Sequence, residues 1–162
     1  MTQAEKVVYF AGAIRGDRSL AREMSEMIGF IKNLRIPVLT EHITEDDPVA
    51  AFAEKLGKRK EDLTAEDIEE HNIEALDRAT HIIAEISGAS TGTGREIEYG
   101  RVKEQLGKVP AKILCLYRKD REWFASPMIR GMLGDRYPNV RVASYIDTSE
   151  AITYIYSFLL SA

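Results

Sequence analysis

At 162 residues, with 44% hydrophobic and 30% charged side chains, the chain has the make-up of a soluble globular protein able to bury a core without disulfides or a metal. A formal charge of -4 argues against a nucleic-acid scaffold, and a single cysteine, Cys115, excludes an internal disulfide. No run approaches the roughly 18 apolar residues that span a membrane, and MTQAEK leads directly into a strand pattern without a signal peptide, so the expected compartment is the cytoplasm.

Residues 6–11 (KVVYFA) read as a buried strand and 12–17 as a turn. From 19 to 35 the apolar positions Leu20, Met24, Met27, Ile28, Ile31 and Leu34 recur at helical spacing. Residues 36–40 (IPVLT) predict a short second strand, with Pro37 near its start where an edge or strand entry tolerates it. The stretch 41–63 is polar, holds a short helix around 49–56, and has the character of a mobile flap.

Thr64, with Asp67 three residues on, predicts a capped helix whose stripe is Ile68, Ala75, Leu76 and Ala79, with Asn72 as its polar member. A strand at 80–86, a loop of small residues at 87–94 and a helix at 93–106 follow. Residues 112–117 form a further strand, 121–133 are mixed and interrupted by Pro127, and 140–145 form the last strand. Asp147, with Glu150 three residues later, caps a closing helix to about residue 160. The alternation predicts one α/β domain over 1–162. Its core is a mainly parallel five-stranded sheet flanked by helices, of the flavodoxin or Rossmann type.

Such sheets bind ligands beyond the carboxyl ends of their strands, here 12–16, 40–42, 87–94 and 118 onward. The segment THIIAEISGASTGTGREIEYG is the most informative, because strand, small-residue turn and helix start let backbone N–H groups face an anion. A carboxylate just inside that helix would stand near whatever the turn holds. Ser90, Gly92 and Gly94 are either this cradle or a flexible turn.

Glu96 and Glu98 point about 200° apart on a helix, so at most one faces a ligand. In the first loop, Tyr9, Gly12, Arg15 and Gly16 offer close backbone approach and a guanidinium, which would grip phosphate or else cap a helix or pair with a surface acid. The spacing is neither G-x-G-x-x-G nor a Walker loop. Asn72 is a satisfied core amide or bonds something bound, and Glu85, if buried, demands a partner. His42 and His71 lack partners at metal spacing, so neither metal nor cofactor is expected. Cys115, within KILCLY, reads as a buried structural thiol.

The blocks YFAGAIRG, LTEH, AEISGASTGTGREI, KILCLYR and SPMIRGM occur in order between residue 9 and about 132. In these the chain resembles the nucleoside 2-deoxyribosyltransferase superfamily, and within it the 2'-deoxynucleoside 5'-monophosphate N-glycosidases. The resemblance implies hydrolysis of the N-glycosidic bond of a nucleoside 5'-monophosphate. It makes Glu96 rather than Glu98 the catalytic carboxylate, with Tyr9 and Asn72 beside it. Gly12, Ile14, Arg15, Gly16, Ser90 and Gly92 would bind the substrate. Ser126 and Met128 would reach a neighbouring subunit's site, implying a homodimer with shared active sites.

The chain departs from the pattern at Asn72 and Thr80, where the family carries aspartates, and at Ala13, where it carries serine. Base exchange between deoxynucleosides and nucleotide binding without turnover are the alternative readings.

Overall fold

The computed structural model describes residues 5–14 and 17–161. Four parallel strands, β1 (Val8–Ala11), β2 (His81–Glu85), β3 (Lys112–Arg118) and β4 (Val140–Tyr145), form one sheet in the order β1-β2-β3-β4. Val8 pairs with His81, Ala84 with Cys115 and Cys115 with Val142. The connections carry helices α1 (Ala21–Asn33), α2 (Pro48–Lys55), α3 (Ala65–Arg78), α4 (Thr91–Val102) and α5 (Pro127–Arg130), and α6 (Thr148–Leu160) follows β4.

The strands are apolar on both faces because helices cover both. Side chains alternate as a strand requires. Val8, Phe10, Ile83, Leu114 and Leu116 pack with Met24, Met27 and Ile31 of α1 and with Ile155 and Phe158 of α6. Tyr9, Ala11, Ile82, Ala84, Ile113 and Cys115 pack on the opposite face with Ala75 and Leu76 of α3 and Ile97 of α4. This parity sends the Tyr9 side chain toward α3 and α4. The Cys115 thiol is fully buried and pushed up to about 12 by that burial, which makes it inert.

Two glycines permit the close packing. A Cβ at Gly12 would lie 2.4 Å from Met24 Sδ, so the chain leaving β1 runs tight against α1. One at Gly100 would lie 2.1 Å from Ile82 Cδ1, so α4 sits hard against β2.

The fifth strand expected at 36–40 is not formed, and the sheet has four strands. That segment makes one parallel bridge, Val8 with Val38, through Val8 N–H to Pro37 O and Leu39 N–H to Val8 O, each 2.9 Å. The next rung is made by a side chain. Thr40 Oγ1 accepts from Phe10 N–H at 2.9 Å and donates to Phe10 O at 2.7 Å. A hydroxyl that satisfies both backbone groups of Phe10 removes the need for a longer strand.

Local capping is as the sequence suggests. Thr64 and Asp67 form a reciprocal capping box at α3. Asp147 accepts from Glu150 N–H at 2.9 Å, and the Glu150 carboxylate accepts from Ile146 N–H at 2.6 Å. The helix expected at 93–106 ends at Val102 and tightens into a 3-10 turn, Lys103–Leu106. Lys103 is buried, and its Nζ donates to Leu76 O and Ala79 O at 2.6 Å each, closing the last turn of α3. The two helices that border the cavity described next are thereby pinned together.

Candidate active site

A cavity of about 570 Å³ opens at the carboxyl ends of β1 and β2. Tyr9 and Gly12 line it from β1 and the turn after it, Thr40 and His42 from the end of the 36–40 segment and just beyond it, Asn72 from α3, and Ser90, Gly92, Thr93 and Glu96 from α4 and its cap. A smaller apolar pocket, bordered by Val49, Phe52 and Leu63, shares Ile14, His42, Ile68 and Asn72 with it.

Glu96 lies in the second turn of α4 and is half-buried. The Tyr9 hydroxyl donates to Glu96 Oε1 at 2.7 Å. Burial pushes the Glu96 carboxyl up to about 7, against the opposing pull of that hydrogen bond and of the Arg95 charge. Burial and the adjacent carboxylate push the Tyr9 phenol upward, so it stays a donor. The pair therefore holds a carboxylate oriented by one neutral hydroxyl, with its ionisation poised near neutrality.

Glu98, two residues on, is exposed and doubly bonded to Arg101, at 2.6 and 2.8 Å, which holds its carboxyl below the usual range. Of the two acids, Glu96 alone borders the cavity.

The cap of α4 faces the same space. Ser90 Oγ accepts from Thr93 N–H at 3.2 Å, and the chain enters the helix through Thr91 and Gly92. The first N–H groups of a helix have no intrahelical acceptor, so this end presents donors and the positive end of the dipole. Thr93 Oγ1 is buried there without a hydrogen-bond partner among the described residues.

Asn72 is half-buried, borders both pockets, and makes no hydrogen bond to another described residue. His42 is buried, its ring centroid 5.0 Å from that of Phe52, and its Nδ1 has no partner among the described residues. Burial first, then the Lys55 and His71 charges, push its imidazole down to about 4, so it is neutral. Among the described residues no group of His, Cys, Asp and Glu could hold a metal ion.

Arg15 and Gly16 fall outside the described residues. Ser126 and Met128 are exposed at the start of α5 and do not border this cavity; Met128 is 84% accessible. Thr80 does not face the cavity; its Oγ1 accepts from Val7 N–H at 2.9 Å at the far end of the sheet. His42, at the strand end 40–42 where a ligand is expected, borders the cavity, although no chemical role was assigned to it beyond the absence of a metal partner. Thr40 and Thr93 carried no sequence signal of their own.

No protein-family model matches the chain. It is 31% identical over 152 residues, 94% of each chain, to a protein of Thermofilum pendens assigned as 2'-deoxynucleoside 5'-phosphate N-hydrolase 1. It is 37% identical over 135 residues to the 5-hydroxymethyl-dUMP N-hydrolase of Rattus norvegicus, covering 80% of this chain and 71% of that one. Among solved structures, the CMP N-glycosidase of Clostridium botulinum superposes with a TM-score of 0.62 at 17% identity, over 94% of this chain and 99% of that one, and so shares the fold. Matched at 31% identity over 94% of its length by the Thermofilum pendens protein, the chain belongs to the 2'-deoxynucleoside 5'-phosphate N-hydrolase family.

Proposed function

We propose that the protein is an N-glycosidase that hydrolyses the N-glycosidic bond of (deoxy)nucleoside 5'-monophosphates, releasing free base and (deoxy)ribose 5-phosphate. The observation that carries this reading is Glu96: a half-buried carboxylate on the cavity wall, oriented by Tyr9 and one turn inside a helix start.

Glu96 attacks C1' of the sugar, the C–N bond breaks, and its electron pair leaves with the base, which takes up a proton. Cleavage builds oxocarbenium character that an adjacent carboxylate stabilises or traps as a glycosyl ester. Water then attacks C1', its hydroxyl staying on the sugar and its proton passing to solvent to replace the one the base took up, and the carboxylate is regenerated. Tyr9 holds the attacking oxygen in place.

Asn72 is assigned with them as a hydrogen-bonding partner. Its amide donates and accepts but transfers no proton, and its unpaired state in the cavity supports a contact to bound substrate. Gly12, Ile14, Ser90 and Gly92 border the substrate, with the start of α4 facing the 5'-phosphate. Arg15 and Gly16 are assigned to the same phosphate from the sequence alone. Binding a group far from the reacting bond supplies orientation.

Ser126 and Met128, exposed on one copy, are assigned to the site of a second copy, giving a homodimer with shared sites. The protein is assigned to the cytoplasm; among the described residues no helix is long and apolar enough to cross a membrane.

Incubation with a panel of nucleoside 5'-monophosphates, followed by chromatography for free base, tests the reading. Release from at least one of them supports it. Binding without release favours a non-catalytic nucleotide module, the reading that the uncharged Asn72 supports.

A further inference from the structure

We infer that Arg121 is a positioning residue for the phosphate end of the cavity, tying the loop after β1 to the loop after β2 without touching substrate. The inference rests on the N-glycosidase reading above.

Arg121 ends the 3-10 turn Lys119–Arg121 that follows β3 and does not border the cavity. Its guanidinium is committed in three directions. Nη2 pairs with the Asp17 carboxylate, Nη1 donates to Ser19 Oγ at 2.8 Å, and Nε donates to Ser87 O at 3.4 Å. Asp17 and Ser19 belong to the connection between β1 and α1, in which Gly12 and Ile14 line the cavity. Ser87 opens the segment that runs through Ala89 and Ser90 along the cavity wall to α4.

The two loops run close together as well: a Cβ added at Gly88 would lie 3.5 Å from Asp17 Cβ and 3.7 Å from Ala13 Cβ, ordinary van der Waals distance.

Each end of the tie is itself anchored. Asp17 accepts from Ser19 N–H at 2.9 Å; the Ser19 hydroxyl first, then this N–H, and after them the Arg121 charge hold its carboxyl below the usual range, so it is ionised. Ser87 Oγ donates to the buried Glu85 carboxylate and accepts from Arg118 N–H at 2.7 Å. A planar guanidinium with a fixed fork of donors suits three acceptors on two loops, which an ammonium cannot span. Arg121 is mostly covered although its partner Asp17 is exposed, and the pair is less open to water than Arg22 with Glu26.

The test compares wild type, Arg121→Ala, Arg121→Lys, Asp17→Ala and the Arg121→Ala/Asp17→Ala double variant on a nucleoside 5'-monophosphate and on the same nucleoside without phosphate. Arg121→Ala is expected to raise KM for the monophosphate about tenfold with kcat within about twofold, and to leave the nucleoside's constants unchanged. Asp17→Ala should do the same. The double variant should be no worse than either single one, because both break one tie. Lysine, keeping charge but not the fork, should fall between.

An unchanged KM, an equal KM rise on both substrates, or a loss confined to kcat or to Tm overturns the inference. If Arg121→Ala does not fold, Asp17→Ala decides by the same criteria. If wild type releases no base from any monophosphate, the glycosidase reading has failed and the tie is judged by calorimetry. It then stands if Asp17→Ala weakens monophosphate binding more than nucleoside binding, and falls if it weakens both alike or if wild type binds neither.

Discussion

Two carboxylates are withdrawn from water at the carboxyl end of this sheet, and their surroundings differ in kind. Glu85, at the end of β2, is 4% accessible and accepts from Ser87 Oγ, from Ser87 N–H at 3.2 Å and from the Tyr145 hydroxyl at 3.0 Å. Glu96, on α4, accepts from Tyr9 and otherwise borders a cavity. Burial pushes both carboxyls upward. Glu85 is saturated with protein donors and fastens Ser87, from which the loop to α4 departs. Glu96 keeps an oxygen for something that enters. The lesson is that burial alone does not mark a reactive acid; an unfilled hydrogen-bonding capacity facing a cavity does.

The largest effect that would break this comparison is at Glu96. Glu96→Gln should lower base release by about a thousandfold or more while nucleotide affinity, read by calorimetry, stays near wild type. Retained turnover would remove Glu96 from the chemistry.

The same variant carries a stability signature. A carboxyl raised to about 7 from an ordinary value near 4.5 makes ionisation costly to the fold. That cost is absent at pH 4, grows as pH rises through 4.5 to 7, and is complete by pH 8. Glu96→Gln should therefore gain about 1–2 kcal/mol at pH 8, after discounting for partial exposure, and gain nothing at pH 4, measured by urea titration.

Glu85→Ala should behave oppositely. It strands Tyr145 and Ser87 in the interior and should cost about 2–4 kcal/mol at neutral pH, with a lower urea midpoint as the readout.

Next in size is Tyr9→Phe, which removes one charge-assisted hydrogen bond and should lower kcat about tenfold. Since the nucleophile acts ionised, kcat/KM should fall as pH drops below about 7 in wild type. The bond from Tyr9 favours the ionised form, so its loss should move that acid limb to higher pH; an unmoved limb would separate Tyr9 from Glu96. Glu98→Gln should do least. Its exposed pair with Arg101 is worth no more than about 0.5 kcal/mol, and base release should not change.

Much of this arrangement was legible before any coordinates. The alternating apolar segments announced a parallel α/β sheet, and Thr64 with Asp67 and Asp147 with Glu150 marked helix starts, because a cap involves atoms three residues apart. The geometry of a helix also made Glu96 and Glu98 alternatives rather than partners. IPVLT has strand composition yet forms no strand, because the Thr40 hydroxyl takes over the rung to Phe10, which nothing local in the sequence shows. Glu85 was recognised as needing partners, but Tyr145, 60 residues away, could not be named.

Periodicity and capping are short-range properties, written into a few adjacent side chains and therefore readable in order along the chain. They determined the layers, the helix boundaries and the stretch in which a reactive acid would fall. The family resemblance already pointed to Glu96 with Tyr9 beside it; the physical cause, that Glu96 rather than Glu98 faces the cavity, that Tyr9 meets it from 87 residues away and that Arg121 closes on Asp17 across 104 residues, lies in packing. Strand parity and helix docking set those distances only once both faces of the sheet are covered, and no local pattern encodes the result.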